Sequence, residues 1–153
     1  MAENEPAPRP YVQVAAICQV ALQEANNFLS IIRIIDRVPL QGFTPEMQPQ
    51  PLHNFMLAIV LKSGGMRMKC QITVKIETPT AQKATLFESS ALFEGEDRGI
   101  QIVAPVAYIA KEEGLYWFEI SVEEDVLTKI PLRVMYQKIQ PMPGMPFQAP
   151  PKG

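Results

Sequence analysis

Apolar and polar residues alternate with a period of two along much of this chain. In the segment 66–77, "MRMKCQITVKIE", every even position is apolar and every odd position is polar. This alternation is typical of a β-strand with one face in the core and the other in water. An apolar run at 55–62 precedes it, and Ser63-Gly64-Gly65 lies between the two. The pattern therefore predicts a β-hairpin.

A second hairpin is predicted in the last third of the chain. Apolar residues alternate with other residues in 116–122, and the even positions of 128–136 again favour the core. The acidic run Glu123–Asp125 separates these strands and forms the turn. Pro131 lacks a backbone N–H, so we expect the outer side of the last strand to be a sheet edge at that point.

Four further strands are predicted at 11–18, 28–38, 85–94 and 99–104. The proline-rich stretch 41–54 is interpreted as a long crossing loop. A proline at the start and a glycine after the end favour at most one short helical turn near 105–112. Seven or eight short strands with almost no helix predict an all-β fold. The expected fold class is a two-sheet antiparallel β-sandwich of immunoglobulin-like, Greek-key type.

The ends of the chain differ from the middle in composition. Residues 1–9 and 140–153 are rich in proline and small residues, and we expect both to be disordered tails. A single β-sandwich domain is expected at 10–139. The C-terminal tail carries a Pro-x-x-Pro spacing and several methionines, which suit either packing against the domain or binding a partner.

The stretch Glu112-Glu113-Gly114-Leu115-Tyr116 resembles the tyrosine corner of immunoglobulin-like sandwiches. That resemblance implies that the Tyr116 hydroxyl bonds to backbone a few residues upstream. Phe118 stands where antibody domains carry a cysteine, so the inter-sheet disulfide of those domains is not expected. The resemblance covers 112–136 and implies nothing about function.

A broader resemblance covers most of residues 11–137. The strings "SIIRIIDRV", "LFEGEDRGI", "EEGLYWFEI" and "LTKIPLRVMYQ" together resemble a family of small bacterial all-β proteins of unknown function. This resemblance implies a bacterial source and an all-β fold. It implies no site residues.

Composition excludes several classes of function. The formal charge is −2 and the isoelectric point about 5.5, so no basic field favours nucleic acid as a partner. No apolar run approaches the roughly 18 residues of a membrane helix, and no membrane partner is expected. The N-terminal residues lack the pattern of a secretory signal. Two cysteines are too few for a disulfide framework, so a reducing, cytoplasmic location is expected.

Catalysis is not expected. Cys18 and Cys70 share the register of apolar neighbours and are interpreted as small core residues rather than nucleophiles. His53 is the only histidine and lies in the proline-rich loop. The sequence has no nucleophile elbow, phosphate loop or zinc signature. We therefore predict a protein that is not an enzyme and has no cofactor.

Acidic turns offer one alternative chemistry. The loop 95–99 and the turn at 123–125 are expected at the same end of the sandwich, opposite to Glu112 and Glu113. Their oxygens are possible calcium ligands, although solvated turns explain the same composition. The candidate ligands are Glu96, Asp97, Glu123, Glu124 and Asp125.

Two other groups of residues have open roles. Arg33, Asp36 and Arg37 interrupt an apolar strand, which indicates either a structural salt bridge or a ligand-binding group. Trp117 points away from the Tyr116 side, and with Leu127 and Met135 it is predicted to form an exposed partner-binding patch. We hypothesise a non-catalytic protein-binding or assembly module with a protein partner or self-association. The alternative is a small-ligand or calcium-binding module.

Overall fold

The computed structural model describes residues 7–140. The predicted disordered tails lie mostly in residues 1–6 and 141–153, which are outside the described residues. The described chain forms eleven strands and no helix. Among residues 7–140 there is accordingly no helix long and apolar enough to cross a membrane. The strands are β1 (Tyr11–Gln23), β2 (Leu29–Ile34), β3 (Arg37–Gly42), β4 (Gln50–Leu52), β5 (Met56–Lys62), β6 (Arg67–Glu77), β7 (Lys83–Glu94), β8 (Gly99–Pro105), β9 (Tyr108–Ala110), β10 (Gly114–Val122) and β11 (Asp125–Lys138).

The strands form three sheets. Sheet A has the order β2-β1-β5-β8, sheet B has the order β3-β11-β10-β6-β7, and the small sheet C pairs β4 with β9. All neighbours are antiparallel except β3 and β11, which run parallel. The expectation of a purely antiparallel sandwich is therefore wrong at this one pair.

Sheets A and B face each other across one apolar core, which makes the domain a β-sandwich. The strand predicted at 55–62 and the alternation predicted for 66–77 and the last third are confirmed, because alternate residues of β5, β6, β10 and β11 point into this core. The central residues are Leu57, Ile59, Leu61, Ile72, Val74, Ile76, Phe118, Ile120, Leu132 and Val134.

Sheet C closes one end of the sandwich. Leu52 of β4 and Ala110 of β9 are buried in the core, while Ile109, the residue before Ala110, is exposed. The prediction of a helical turn near 105–112 is wrong, because this segment alternates with a period of two and pairs with β4. The prediction of a loop throughout 41–54 is also wrong in part, because β3 extends to Gly42 and β4 lies within this stretch.

The segment 28–38 is two strands rather than one. Arg33 has a φ of 58°, which interrupts the extended conformation near the end of β2. The chain then leaves sheet A and joins sheet B as β3, beside β11. This division and the two short strands of sheet C raise the strand count from the expected seven or eight to eleven.

Pro131 lies on the side of β11 that faces β3. The N–H of Arg133, two residues further on, donates to the Asp36 oxygen at 2.9 Å, so the Pro131 nitrogen faces the same way. Pairing with β3 begins only at Arg133 opposite Arg37. The edge predicted at Pro131 is therefore present, and β3 pairs only with the last part of the strand, Arg133 to Lys138.

Candidate functional site

The Glu112–Tyr116 stretch has a structural role at the start of β10. The Tyr116 hydroxyl donates to the Glu112 backbone oxygen at 2.7 Å, as the tyrosine-corner resemblance implied. Its side chain is fully buried and meets Tyr108 edge-to-face at a centroid distance of 6.2 Å. Burial raises the pKa of the Tyr116 phenol. This tyrosine is thus a neutral structural donor.

The structure places the three predicted partner-binding residues apart. Trp117 is half-buried on the outer face of sheet B and pairs with Pro131, whereas Met135 lies four residues further along β11. Leu127 lies at a register shift between β10 and β11 and packs against the core. A simple parity count put Leu127 on the outer face, and this placement is wrong because the extra residue at the shift turns it inward.

A buried carboxylate lies on the outer face of sheet B beside Trp117. Glu119 is only 6% exposed, and its Oε2 lies 3.0 Å from Lys83 Nζ and 3.5 Å from Lys129 Nζ. The hydrogen bond from Lys83 is the main cause that lowers the pKa of the Glu119 carboxyl, against the opposing effect of burial. An ion-pair network, rather than an apolar patch, therefore occupies the middle of this face.

The acidic turns lie at one end of the sandwich, as expected, but they do not converge. Glu96 lies 3.7 Å from Arg67 and thus has a cation beside it. Glu123 accepts a hydrogen bond from the Gln71 N–H at 3.0 Å, four residues along β6 from Arg67. Within residues 7–140 no three acidic, histidine or cysteine side chains form a group that would hold a metal ion. Asp97, Glu124 and Asp125 belong to these same two turns.

The two cysteines are buried and free. Cys70 belongs to the main core, where burial is the first cause that raises the pKa of its thiol. Burial also raises the pKa of the Cys18 thiol. The His53 ring nitrogen Nδ1 lies 3.2 Å from the Pro51 oxygen, in an open cleft beside sheet C. The structure gives neither thiol the lowered pKa of an activated nucleophile.

The most unusual surface lies on the hairpin of β1 and β2. β1 pairs with β5 as far as Cys18, and beyond that point it pairs only with β2. We call residues 19–34 the arm. The Gln101 amide, which projects from the outer face of sheet A, donates to the Asn27 oxygen in the turn of the arm. The arm therefore curls back over the outer face of sheet A.

Large apolar side chains of the arm are exposed. Val20 pairs with Ile32 and Leu22 pairs with Ser30, so these side chains share one face of the hairpin. The five exposed apolar residues of the arm, here called the arm patch, are Val20, Leu22, Phe28, Ile32 and Ile34. Their exposures run from 38% for Val20 to 68% for Ile34, and the summed exposed surface of these five residues is on the order of 500 Å², within the range of about 300–600 Å² for the largest apolar patch on a monomer.

The free edge of sheet A also belongs to the arm. β2 is the terminal strand of its sheet, and within the described residues only β1 pairs with it. Exposed edges are commonly protected by proline, lysine or inward-pointing charge. The β2 sequence "LSIIRI" has no proline, lysine or acidic residue, and its main protection is the irregular backbone at Arg33.

A cleft of about 270 Å³ lies at the base of the arm, between β2 and β3. Arg33 and Arg37 line it, and the chain before β5 adds Asn54 and Phe55. Arg33 Nη1 lies 3.4 Å from the Gln19 Oε1, a long and weak hydrogen bond. Asp36 and Arg37 form an exposed pair, with Nε and Oδ1 3.0 Å apart. The salt bridge considered for this group thus joins Arg37 to Asp36 and leaves Arg33 outside it.

Sequence reasoning did not find the arm patch. The signal was present, because residues 20, 22, 32 and 34 are all apolar, but apolar residues also occur at the odd positions 29, 31 and 35. A stretch that is apolar on both faces is typical of a fully covered strand. The free edge and the curl of the hairpin become visible only once the pairing is known.

Comparisons with known proteins give structural likenesses only. No protein-family model matches the sequence, and no curated protein matches it. Among solved structures, an immunoglobulin-like protein from Pseudomonas aeruginosa is similar with 14% sequence identity and a TM-score of 0.40. The match covers 84% of this chain and 99% of that chain.

Proposed function

We propose that this protein is a non-catalytic protein-binding module and that the arm is its contact surface. The observation that carries this proposal is the arm patch, a group of five exposed apolar side chains on one hairpin. Burial of such a surface in a complex is worth roughly 25 cal/mol per Å² before the costs of association. The arm patch is therefore large enough to anchor a partner.

The free edge of β2 favours a partner that binds in an extended conformation. A strand added along an edge gains backbone hydrogen bonds, and its alternate side chains give specificity. One set of these side chains would lie on the arm patch, and the other set would lie on the side of β2 that carries Arg33. The proposed partner is an extended, mainly apolar segment of another protein.

A different protein suits this surface better than a second copy. Among the described residues that line the cleft at the base of the arm, Arg33 and Arg37 are the charged ones, and Arg37 already pairs with the neighbouring Asp36. A second copy would bring the same arginines to the contact, whereas a partner with carboxylates would complement them. Self-association through the arm is an outcome that the test below distinguishes.

We further propose that the strand wiring is an immunoglobulin-like Greek key and that the protein works in a bacterial cytoplasm. The wiring is supported by two features: the tyrosine corner at Tyr116 and the parallel pairing of β3 with the last strand. The location is supported by the two free cysteines, which suit a reducing compartment.

The test uses a double variant of the arm, Leu22→Ser with Phe28→Ser. The matched control is Leu92→Ser with Phe43→Ser, because these residues are also exposed but lie outside the arm. Both pairs are solvent-exposed, so each variant should keep the wild-type melting temperature within a few degrees.

We expect wild type and control to enhance the fluorescence of an apolar dye and to retain the same protein from a bacterial lysate. The arm variant should lose both properties. Equal retention by the arm variant would show that the arm is not the contact surface. Sedimentation at rising concentrations should show a monomer, and a dimer that only the arm variant dissociates would replace the hetero-partner proposal with self-association.

A further inference from the structure

The cleft at the base of the arm has the groups of a carboxylate site. Arg33 and Arg37 supply guanidinium donors, and Asn54 supplies an amide, while Phe55, Val38 and Pro39 give it an apolar wall. Guanidinium groups match the planar, bidentate geometry of a carboxylate. The volume of about 270 Å³ is close to that of small-ligand sites and suits one amino-acid side chain with its carboxylate.

The backbone conformation at this cleft supports a functional interpretation. Arg33 has a φ of 58° and Asn54 has a φ of 68°, so two residues in the left-handed region line the same small cleft. Asparagine tolerates this region, but arginine rarely adopts it, because its Cβ approaches the following carbonyl oxygen. Glycine would satisfy the same turn without strain. The strain is understandable if the Arg33 side chain is needed at this place.

Most of the donors of Arg33 are available. Its guanidinium has five N–H groups, and its contact within the described residues is the 3.4 Å approach of Nη1 to Gln19. Arg37 is already held by Asp36 through Nε and Nη2, at 3.0 and 3.4 Å. Arg33 is thus the group best placed to receive a new anion, and Arg37 adds positive charge beside it.

We propose that this cleft binds a carboxylate carried by the apolar segment of the partner, with the Arg33 guanidinium as the main contact. This inference deepens the proposed function and rests on it, because the carboxylate belongs to the chain that pairs with β2. Arg33 makes the charged contact, the apolar wall receives the adjoining side chain, and the arm patch receives the alternate residues.

The first experiment uses N-acetyl-Leu-Val-Phe with a free carboxylate, and the same peptide as its C-terminal amide. Binding is followed by NMR shifts of the Asn54 side-chain amide and the Arg33 Nε–H. The acid should shift both signals in a saturable way, with at least tenfold weaker binding of the amide. Equal binding of the two peptides, or no binding of the acid at millimolar concentration, would overturn the proposal.

Two small anions distinguish a carboxylate on a polypeptide from a free small acid and from a nonspecific anion. 3-Phenylpropanoate presents a carboxylate without a polypeptide, and inorganic phosphate presents only an anion. Both should bind at least tenfold more weakly than the peptide acid. If 3-phenylpropanoate binds as tightly, the cleft is a site for a free small acid and the partner assignment fails. If phosphate does so, the cleft is a nonspecific anion site.

The second experiment compares Arg33→Gly with Arg67→Gly, an exposed arginine of β6 at the other end of the sandwich. Arg33→Gly should lose at least tenfold in affinity for the peptide acid, with an unchanged or raised melting temperature because the left-handed strain disappears. Arg67→Gly should keep the affinity and melt at a lower temperature. A folded Arg33→Gly variant with wild-type affinity would contradict the role of this side chain.

The two proposals fail in different ways. The arm variant Leu22→Ser/Phe28→Ser leaves the cleft intact, so it should lose the partner in the lysate assay but keep the NMR response to the peptide acid. If that response persists while the lysate assay shows no arm dependence, the carboxylate site stands and the proposed function fails. If the response is absent while arm-dependent capture persists, only the carboxylate site is refuted.

Discussion

Replacement of Tyr116 by phenylalanine tests the tyrosine corner directly. The change removes one oxygen from a fully buried side chain and leaves the ring in place. The hydroxyl donates to the Glu112 backbone oxygen at 2.7 Å, and this bond ties the chain before β10 to the strand itself. The variant therefore removes a single hydrogen bond and leaves the shape of the core unchanged.

The expected loss is that of a part-buried neutral hydrogen bond whose donor side chain is fully buried. Removing one member of such a pair costs about 1–3 kcal/mol, because the remaining group is left unsatisfied. We take about 2 kcal/mol for Tyr116→Phe, which corresponds to a fall of roughly 4–8 °C in melting temperature for a chain of this size.

The measurement is chemical unfolding at pH 7, followed by tryptophan fluorescence, with a melting curve as a second probe. Tyr11→Phe is the matched control, because this residue is 52% exposed and the same oxygen is removed. We expect the control to lie within 0.5 kcal/mol of wild type, as is usual for surface changes. The difference between the two variants isolates the corner.

The pH dependence gives an independent check with a defined sign. Burial raises the pKa of the Tyr116 phenol in the folded protein, so the folded state holds this proton more strongly than the unfolded state. The associated stability is fully present below the unfolded pKa of about 10 and is lost as the pH rises through the folded value. Wild type should therefore lose stability more steeply than Tyr116→Phe above pH 10.

Two results would refute this account of the corner. If Tyr116→Phe is as stable as Tyr11→Phe, the hydroxyl contributes nothing to stability. If wild type and variant keep the same stability difference from pH 7 to pH 11, the phenol has no raised pKa in the folded state.

Three other changes have defined outcomes. Gly114→Ala should cost about 2 kcal/mol or more of stability, because φ is +136° and a Cβ would meet a proline ring at 2.7 Å. The control Gly65→Ala should cost about 1 kcal/mol from its positive φ alone. Equal costs by denaturant unfolding would argue against the steric contribution at Gly114. Glu119→Gln should cost about 1–2 kcal/mol of stability at pH 7, and this loss should shrink below about pH 4. The stability that comes from the lowered pKa of the Glu119 carboxyl is present above the unfolded pKa and disappears as the pH falls through the folded pKa. A loss independent of pH would exclude the ion pairs as its cause. Burial shields the Cys18 and Cys70 thiols and raises the pKa of both, so both should react with a disulfide reagent at pH 8 far more slowly than in the unfolded chain, and reaction of either within seconds would show an accessible thiolate.

The sequence predicted the strands whose faces differ in polarity. The segment 66–77 is readable because one face lies in the core and the other in water, and the structure places β6 there with that register. The tyrosine corner was readable because its residue types have a local geometric reason. The segment 105–112 was misread, since its proline and glycine suggest a helical turn while its partner strand β4 lies more than fifty residues earlier.

The candidate site was harder to predict because it depends on contacts distant in sequence. Exposure of the arm patch follows from β2 being the last strand of sheet A, and no local pattern shows which strand ends a sheet. Leu127 was misplaced for a related reason, because a single extra residue in the pairing of β10 and β11 exchanges the two faces. Only the three charges Arg33, Asp36 and Arg37 were recognised, as polar residues in an apolar segment.

The position of Arg33 connects the fold to the proposed function. A continuous strand through 28–38 would stay in sheet A, and the left-handed residue at Arg33 precedes the point where the chain crosses to sheet B as β3. Glycine at this position would permit the same crossing at lower cost in strain, and it would also remove the guanidinium from the cleft. The crossing alone therefore does not explain why arginine stands here. A requirement for the Arg33 side chain explains both the choice of arginine and the backbone strain at this position. An Arg33→Gly variant that gains stability while it loses carboxylate binding is therefore the most informative outcome.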